Sequence, residues 1–297
     1  MSTDRLARSR SARRFAAGLS LALFLGLSSA AAAEIGSFKD DLFAYPGILE
    51  QDDDGAFLKI DYDKMRDIHK RDQEPERRVK GKYVSTGVRW YQDFETIDAG
   101  GRSVYVFAVG KFRTARFAVI FVHGRGGDRK LGANDYSFGG NFNRLKNLAH
   151  KYRGVYLAPS ARDFGDRGVA DISALIGYVR TAAPEARIVL SCASMGSFIC
   201  WKIAEDADVS GKLAGMMILG GPANPAFLKS PAHAARMPVF FSHGSDDSVY
   251  PWTDQHALYK SLIREGYPTR FVLFDTGSHG TPIRMTDWRE TLNWILQ

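Results

Sequence analysis

The sequence predicts an α/β fold, a mostly parallel sheet flanked by helices. Three observations predict it. From Val104 onward, short apolar runs alternate with amphipathic stretches, the rhythm of successive strand–helix units. The runs FAVIFV (117–122), RIVLS (187–191), MMIL (216–219) and PVFFS (238–242) are apolar on both faces, as strands covered by helices on either side must be. Beyond the first 33 residues the 297-residue chain has about 264 left, a length that suits one α/β domain.

Residues 1–33 read as a secretory signal peptide. Arg5, Arg8, Arg10, Arg13 and Arg14 form a positive head, Phe15 to Leu27 an apolar core, and Ala31-Ala32-Ala33 a small-residue cleavage site. Arg13-Arg14 before Phe15 is a partial twin-arginine pattern, which leaves the export route open. The expected product is periplasmic or secreted, with no stable membrane span once the leader is cleaved. The leader's five arginines and one aspartate account for +4 of the chain's net +7, leaving +3. That remainder forms no basic stripe, so nucleic acid is not an expected partner.

Residues 34–82 are charged and lack the strand–helix rhythm, so they read as an N-terminal extension to a catalytic domain over 83–297. Asp52-Asp53-Asp54-Gly55 is a turn signal between Ile48-Leu49 and the alternating Phe57–Ile60, which predicts a β-hairpin. The same segment echoes a calcium loop only faintly. Its first and last positions are wrong and the flanking helices are missing, so no metal site is expected. Strands are expected at 103–109, 117–122, 155–159, 188–191, 215–219, 239–242 and 271–274. Helices are expected at 141–151, 169–182, 196–206, 254–265 and from Ile283 to the end. Cys192 and Cys200 flank one strand-to-helix turn and read as small buried residues, not as a disulfide.

The turn between those cysteines carries the strongest chemical signal. An apolar strand, Ile188–Ser191, runs through Cys192-Ala193-Ser194-Met195-Gly196 into an apolar-periodic helix. A serine at such a turn is held with its hydroxyl projecting above the strand ends. The pattern is G-x-S-x-G with Cys192 at the first glycine position. A nucleophilic serine needs an imidazole to take its proton and a carboxylate to orient that imidazole. His279 follows the strand Phe271–Phe274, in the loop just before the last helix. The carboxylate comes from Asp246-Asp247, after strand Val239–Ser242. Gly244 and Pro251 around the pair favour Asp247, with Asp246 kept as the alternative. His243 reads as a structural turn residue. The loop His123-Gly124-Arg125-Gly126-Gly127-Asp128 follows the strand Ala118–Val122, and its glycines let backbone N–H groups face a developing oxyanion. The expected donors are the amides of Arg125 and Met195.

The motifs HGRGGD, CASMGS, HGSDDSVYP and GSHG, in that order, resemble the serine hydrolases of the α/β-hydrolase superfamily, from about Ser103 to Gln297. Within it the chain looks most like the compact carboxylesterase, phospholipase and acyl-thioesterase branch. The resemblance implies an eight-stranded, mostly parallel sheet with the site at the strand C-terminal ends. The eighteen residues Gly220 to Met237 are too few for a large cap domain, so an open site is expected unless residues 34–82 cover it. Gly124, Tyr250 and Trp252 are candidate substrate contacts, with Phe164 beside them. The function expected is cleavage of an ester or thioester in a small acyl substrate through Ser194, His279 and Asp247, with no metal or cofactor. A serine peptidase of the same fold and a non-catalytic binding protein on this scaffold are the alternatives.

Overall fold

Twelve strands are built by the residues that the computed structural model describes, 34–73 and 77–297. They are β1 (Ile48–Asp52), β2 (Phe57–Ile60), β3 (Asp72–Gln73), β4 (Arg78–Val79), β5 (Gln92–Ala99), β6 (Arg102–Gly110), β7 (Phe117–Val122), β8 (Gly154–Pro159), β9 (Arg187–Ala193), β10 (Leu213–Leu219), β11 (Val239–Gly244) and β12 (Thr269–Phe274). The expected signal peptide lies outside the described residues. Ten strands make one sheet in the order β1-β2-β12-β11-β10-β9-β7-β8-β6-β5, and β3 pairs with β4 alone. Neighbours from β2 to β8 run parallel, while β1, β6 and β5 run antiparallel to theirs.

Strands β5 to β12 make up the eight-stranded sheet that the motifs imply. The extension adds two more, because its hairpin docks on the far edge. Phe57–Ile60 lies parallel to Phe271–Phe274, and Ile48–Asp52 folds back outside it with every residue exposed. Strand β5 was not among the sequence expectations. It pairs only with β6 at the opposite edge, and Asp93 to Thr96 are all exposed, so its polar residues carry no apolar run.

Successive residues of a strand point to opposite faces, and each face here buries its own core. Ala118, Ile120 and Val122 pack with Ile172, Leu175 and Ile176 of the helix Asp166–Ala182 and Ile199 and Ile203 of the helix Ser197–Ala204. Phe117, Val119 and Phe121 pack on the other side with Phe142, Leu145 and Leu148 of the helix Asn141–Lys151, and with Trp288 and Leu292. The helix expected from Ile283 to the end is two, Thr281–Met285 and Trp288–Ile295. Asp287 breaks it by capping the second, its carboxylate accepting from the amides of Arg289 (3.0 Å) and Glu290 (3.2 Å).

Polar contacts hold the extension down. Ile35 is fully buried, and its amide and carbonyl both bond the Asn293 side chain, at 2.8 and 2.9 Å. Arg144 is fully buried and bridges Asp40 and Asp287, each at 3.0 Å. Arg284 pairs with Asp72 and donates to the Asp67 carbonyl. In the hairpin turn, Asp53 accepts from Tyr259 (2.8 Å) and Lys260 (3.0 Å).

Candidate active site

Strand β9 ends at Ala193 and the next residue, Ser194, turns the chain with φ +51°. A non-glycine residue in the left-handed region costs about 1–3 kcal/mol, and such strain persists only where the surroundings over-determine it. Here the following turn, Ser194–Gly196, leads directly into the helix Ser197–Ala204. A side chain at Gly196 would put its Cβ 2.6 Å from the His123 carbonyl oxygen, so glycine lets the turn press against the neighbouring strand end.

Ser194 Oγ lies 2.9 Å from His279 Nε2, and His279 Nδ1 lies 2.8 Å from Asp247 Oδ2. The three side chains come from the ends of β9, β11 and β12. Of the two candidate carboxylates, Asp246 faces solvent, whereas the Asp247 side chain is fully buried. Its Oδ1 accepts from the amides of Val249 (2.8 Å) and Tyr250 (3.2 Å). Burial alone would raise the Asp247 pKa. Hydrogen bonds from His243, His279 and those two amides outweigh it and hold the carboxyl well below the usual carboxylate range. An ionised Asp247 keeps the Nδ1 proton of His279 in place and leaves Nε2 free to accept the serine proton.

The loop after β7 closes the other side. A Cβ on Gly124 would stand 2.7 Å from Ser194 Cβ and 3.2 Å from its Oγ, so only glycine lets this backbone approach the hydroxyl. The Gly127 amide donates to the Gly124 carbonyl (3.1 Å), closing a tight turn around Arg125. His123 is buried and fixes the loop: its Nε2 accepts from the Ala161 amide (3.0 Å), so Nδ1 carries the proton and donates to the Gly124 carbonyl (2.7 Å). Burial lowers the His123 pKa, in keeping with a neutral ring.

The architecture has known counterparts among solved structures. A thermostable esterase matches with TM-score 0.55 and 19% identity, over 70% of this chain and 63% of that one. The chain has the α/β-hydrolase fold. An alpha-beta serine hydrolase homologue from Coxiella burnetii matches at TM-score 0.49 and 20% identity, over 69% of this chain and 97% of that one. A thermophilic esterase from the Planctomycetes species Thermogutta terrifontis, solved with butyrate bound, matches at 0.48 and 15%, over 64% and 84%. No protein-family model and no curated protein sequence matches the chain.

Within this fold the remaining candidates divide. The Tyr250 ring lies 5.9 Å from the His279 ring, and Phe164 lies 6.0 Å from His123 beside the glycine loop. Arg125 is exposed in its turn. Trp252 instead stacks near His256 and lines a cavity with Asp53, Phe57 and Lys260 that contains none of Ser194, Asp247 and His279. The extension reaches the loop that carries His279. Tyr62, Ile68 and Arg77 line a cavity of about 270 Å³ together with Phe138 and with Ser278 and Gly280, the residues on either side of His279 in the chain; its lining, too, includes none of Ser194, Asp247 and His279. A larger cavity of about 490 Å³, lined by Trp90, Tyr91 and Arg153, also contains none of the three.

The two cysteines correct the sequence reading. Cys192 and Cys200 form a disulfide, with Cα atoms 6.2 Å apart and both residues fully buried. Distance along the chain misleads here, because the turn at Ser194 folds the helix back over the end of β9. The bond therefore ties strand to helix on either side of Ser194. His243 also differs from a turn residue: it is the last residue but one of β11, with its side chain fully buried, Nε2 lying 3.1 Å from Asp247 Oδ2. The sequence signal was the histidine four residues before the acid, on the last turn of chain leading to it.

Proposed function

We propose that the chain is an exported serine hydrolase that cleaves an ester or thioester of a small acyl substrate. The observation that carries this reading is the unbroken hydrogen-bonded series from Ser194 Oγ through His279 to Asp247. In the proposed reaction Ser194 Oγ attacks the acyl carbonyl carbon while His279 Nε2 takes its proton. The amides of Met195 and Arg125 donate to the oxyanion, and each such donor contributes about 3 kcal/mol of transition-state stabilisation. His279 then gives the proton to the leaving alcohol or thiol, which departs from an acyl-Ser194. Water, activated by the same imidazole, releases the acid. Asp247 stays ionised throughout and keeps His279 oriented.

The loop neighbours of His279, Ser278 and Gly280, line a cavity to which Tyr62, Ile68 and Phe138 offer apolar walls, room for a small acyl group next to the series. Export is supported by the arginine-headed apolar leader and by the disulfide, since such bonds persist in oxidising compartments. No helix of the described residues is long and apolar enough to cross a membrane.

Labelling with a fluorophosphonate tests the reading. Wild type is expected to react at one serine and Ser194→Ala not at all, with an unchanged melting temperature. Equal labelling of both proteins would remove Ser194 from its role. Short p-nitrophenyl esters and acyl thioesters of increasing chain length then separate esterase from thioesterase.

A further inference from the structure

The acid of the proposed series lies between two histidines, and hydrogen-bond complementarity fixes the protonation of the second. His243 lies one residue before the end of β11 and is fully buried. Its Nε2 faces two acceptors, the Tyr250 carbonyl oxygen at 3.0 Å and Asp247 Oδ2 at 3.1 Å. A bare ring nitrogen there would set a lone pair against two oxygens, so Nε2 carries a proton. Its Nδ1 lies 3.0 Å from Oε1 of Gln255, which is also fully buried. Turning the Gln255 amide over would give Nδ1 a donor. That alternative fails at the other end of the amide: Gln255 Nε2 donates to the Gly221 carbonyl at 2.5 Å, and a flip would put two oxygens at that distance. Nδ1 therefore carries a proton too.

We infer that His243 is a buried imidazolium, charge-paired with Asp247, and that it acts as a positioning residue setting the pH range over which His279 can work as a base. The inference rests on the proposed Ser194–His279–Asp247 reading. Asp247 Oδ2 is shared by both rings, His279 at 2.8 Å and His243 at 3.1 Å. A carboxylate beside an imidazole favours its protonated form; a second positive charge on that carboxylate offsets part of the attraction. With His243 charged, His279 sheds its proton more readily, and the serine keeps its base in more acidic solution. The Gln255 link also connects the acid to Gly221, which lies against the start of the helix after Ser194: a Cβ there would collide with Ser197 Oγ and lie 3.0 Å from the Ser194 carbonyl oxygen.

The charged groups on the surrounding elements are engaged elsewhere. From the helix Trp252–Arg264, His256 and Tyr259 pack at an angle against the rings of Phe57 and Phe271, and Lys260 pairs with Asp53. On the same helix, Arg264 bonds Ser261, while Asp254 is exposed in its first turn. From Thr281–Met285, Arg284 pairs with Asp72; from β12, Arg270 pairs with Glu290. Strand β10 carries no titratable side chain. The Tyr250 phenol, its pKa pushed up by burial and by Asp247, stays neutral.

Nitrogen-15 NMR of the histidine rings in the whole protein reads the inference directly. At pH 7 both His243 nitrogens are expected at imidazolium positions, with two slowly exchanging ring protons, assigned by their loss in His243→Asn. One unprotonated nitrogen on that ring would overturn the inference. In kinetics, His243→Asn is expected to move the acid limb of kcat/KM to higher pH by about one unit. A uniform fall in rate with an unmoved limb would reduce His243 to packing and overturn the positioning role. Should His243→Asn not fold, Gln255→Met removes the acceptor at Nδ1 and is expected to leave that nitrogen unprotonated and to move the acid limb the same way, whereas an unchanged ring spectrum would count against the inference. The NMR result needs no turnover. A protein that shows the doubly protonated ring but no fluorophosphonate labelling refutes the hydrolase reading and leaves the His243 charge standing.

Discussion

The rim that holds Ser194 and the extension over residues 34–82 are built on different physics. At the rim, precision comes from the backbone. A left-handed serine, two glycines that admit close approach and a disulfide hold the turn, and the polar contacts converge on Asp247 and His279. The extension has little apolar core of its own; Phe43 and Val79 form a small cluster with Tyr83 just beyond it. It is held by Ile35, Phe57, Ile60, Tyr62 and Ile68, buried in the cores of the sheet, and by ionic contacts that cross long stretches of sequence, Arg144 to Asp40 and Arg284 to Asp72. The rim is specified for geometry, the extension for attachment. Substitutions at the rim should therefore cost rate, and substitutions in the extension's clamps should cost stability.

The largest expected effect is on rate. Asp247→Asn should lower kcat about 10⁴-fold by losing the His279 tautomer, while Asp246→Asn, on the exposed neighbour, stays within about twofold; steady-state assays on a short ester measure both. Asp247 also has a pH signature. Because its folded pKa is depressed, its contribution to stability is in full force above the unfolded value near ~3.9 and is lost as pH falls through the folded value. The stability gap between wild type and Asp247→Asn should accordingly close in strong acid.

Next comes the clamp. Arg144→Met takes away the buried cation that Asp40 and Asp287 share, leaving Asp40 with Arg289 and Asp287 with the amides of Arg289 and Glu290; removing one partner of a buried ion pair typically costs about 3–5 kcal/mol. About 3 kcal/mol is expected here, since Asp40 keeps 26% of its side chain exposed; urea unfolding reads it, with activity per folded molecule retained. The double change Cys192→Ala, Cys200→Ala removes an eight-residue closure worth about 2.5 kcal/mol on the chain-entropy relation. If its activity also falls tenfold or more while the protein is folded, the disulfide belongs to the rim's precision as well as to its stability. Smallest is Lys260→Ala at the hairpin turn. Its partner Asp53 is shared with Tyr259 and the lysine side chain is 42% exposed, so a loss under about 1 kcal/mol is expected.

Most of the eight-stranded sheet was legible because its central strands are apolar on both faces, a pattern that survives without knowledge of neighbours. Strand β5 was not legible: one face is open to water, so Gln92 to Thr96 read as polar chain. Ser194, His279 and the HGRGGD loop stood out because each sits at the junction of a recognisable strand with a recognisable turn. The disulfide and the His243–Asp247 contact stayed hidden for a common reason. Both depend on how sharply a short loop reverses, and reversal is a property of dihedral angles that spacing does not encode. The extension's reach to the His279 loop was hidden differently, since its partners lie more than two hundred residues away in sequence.

That separation has a consequence for how the molecule is made. Residues 35 to 60 find their native partners at Phe271–Phe274 and Asn293. A chain grown from its N-terminus produces this segment first and its partners last. Strand β2 can pair with β1 at once, but its other edge must wait while the rest of the sheet is synthesised. Until Phe271–Phe274 emerges, that edge is a row of open backbone donors and acceptors waiting for a strand. The extension is thus the seal on the sheet, set in place only once β12 exists.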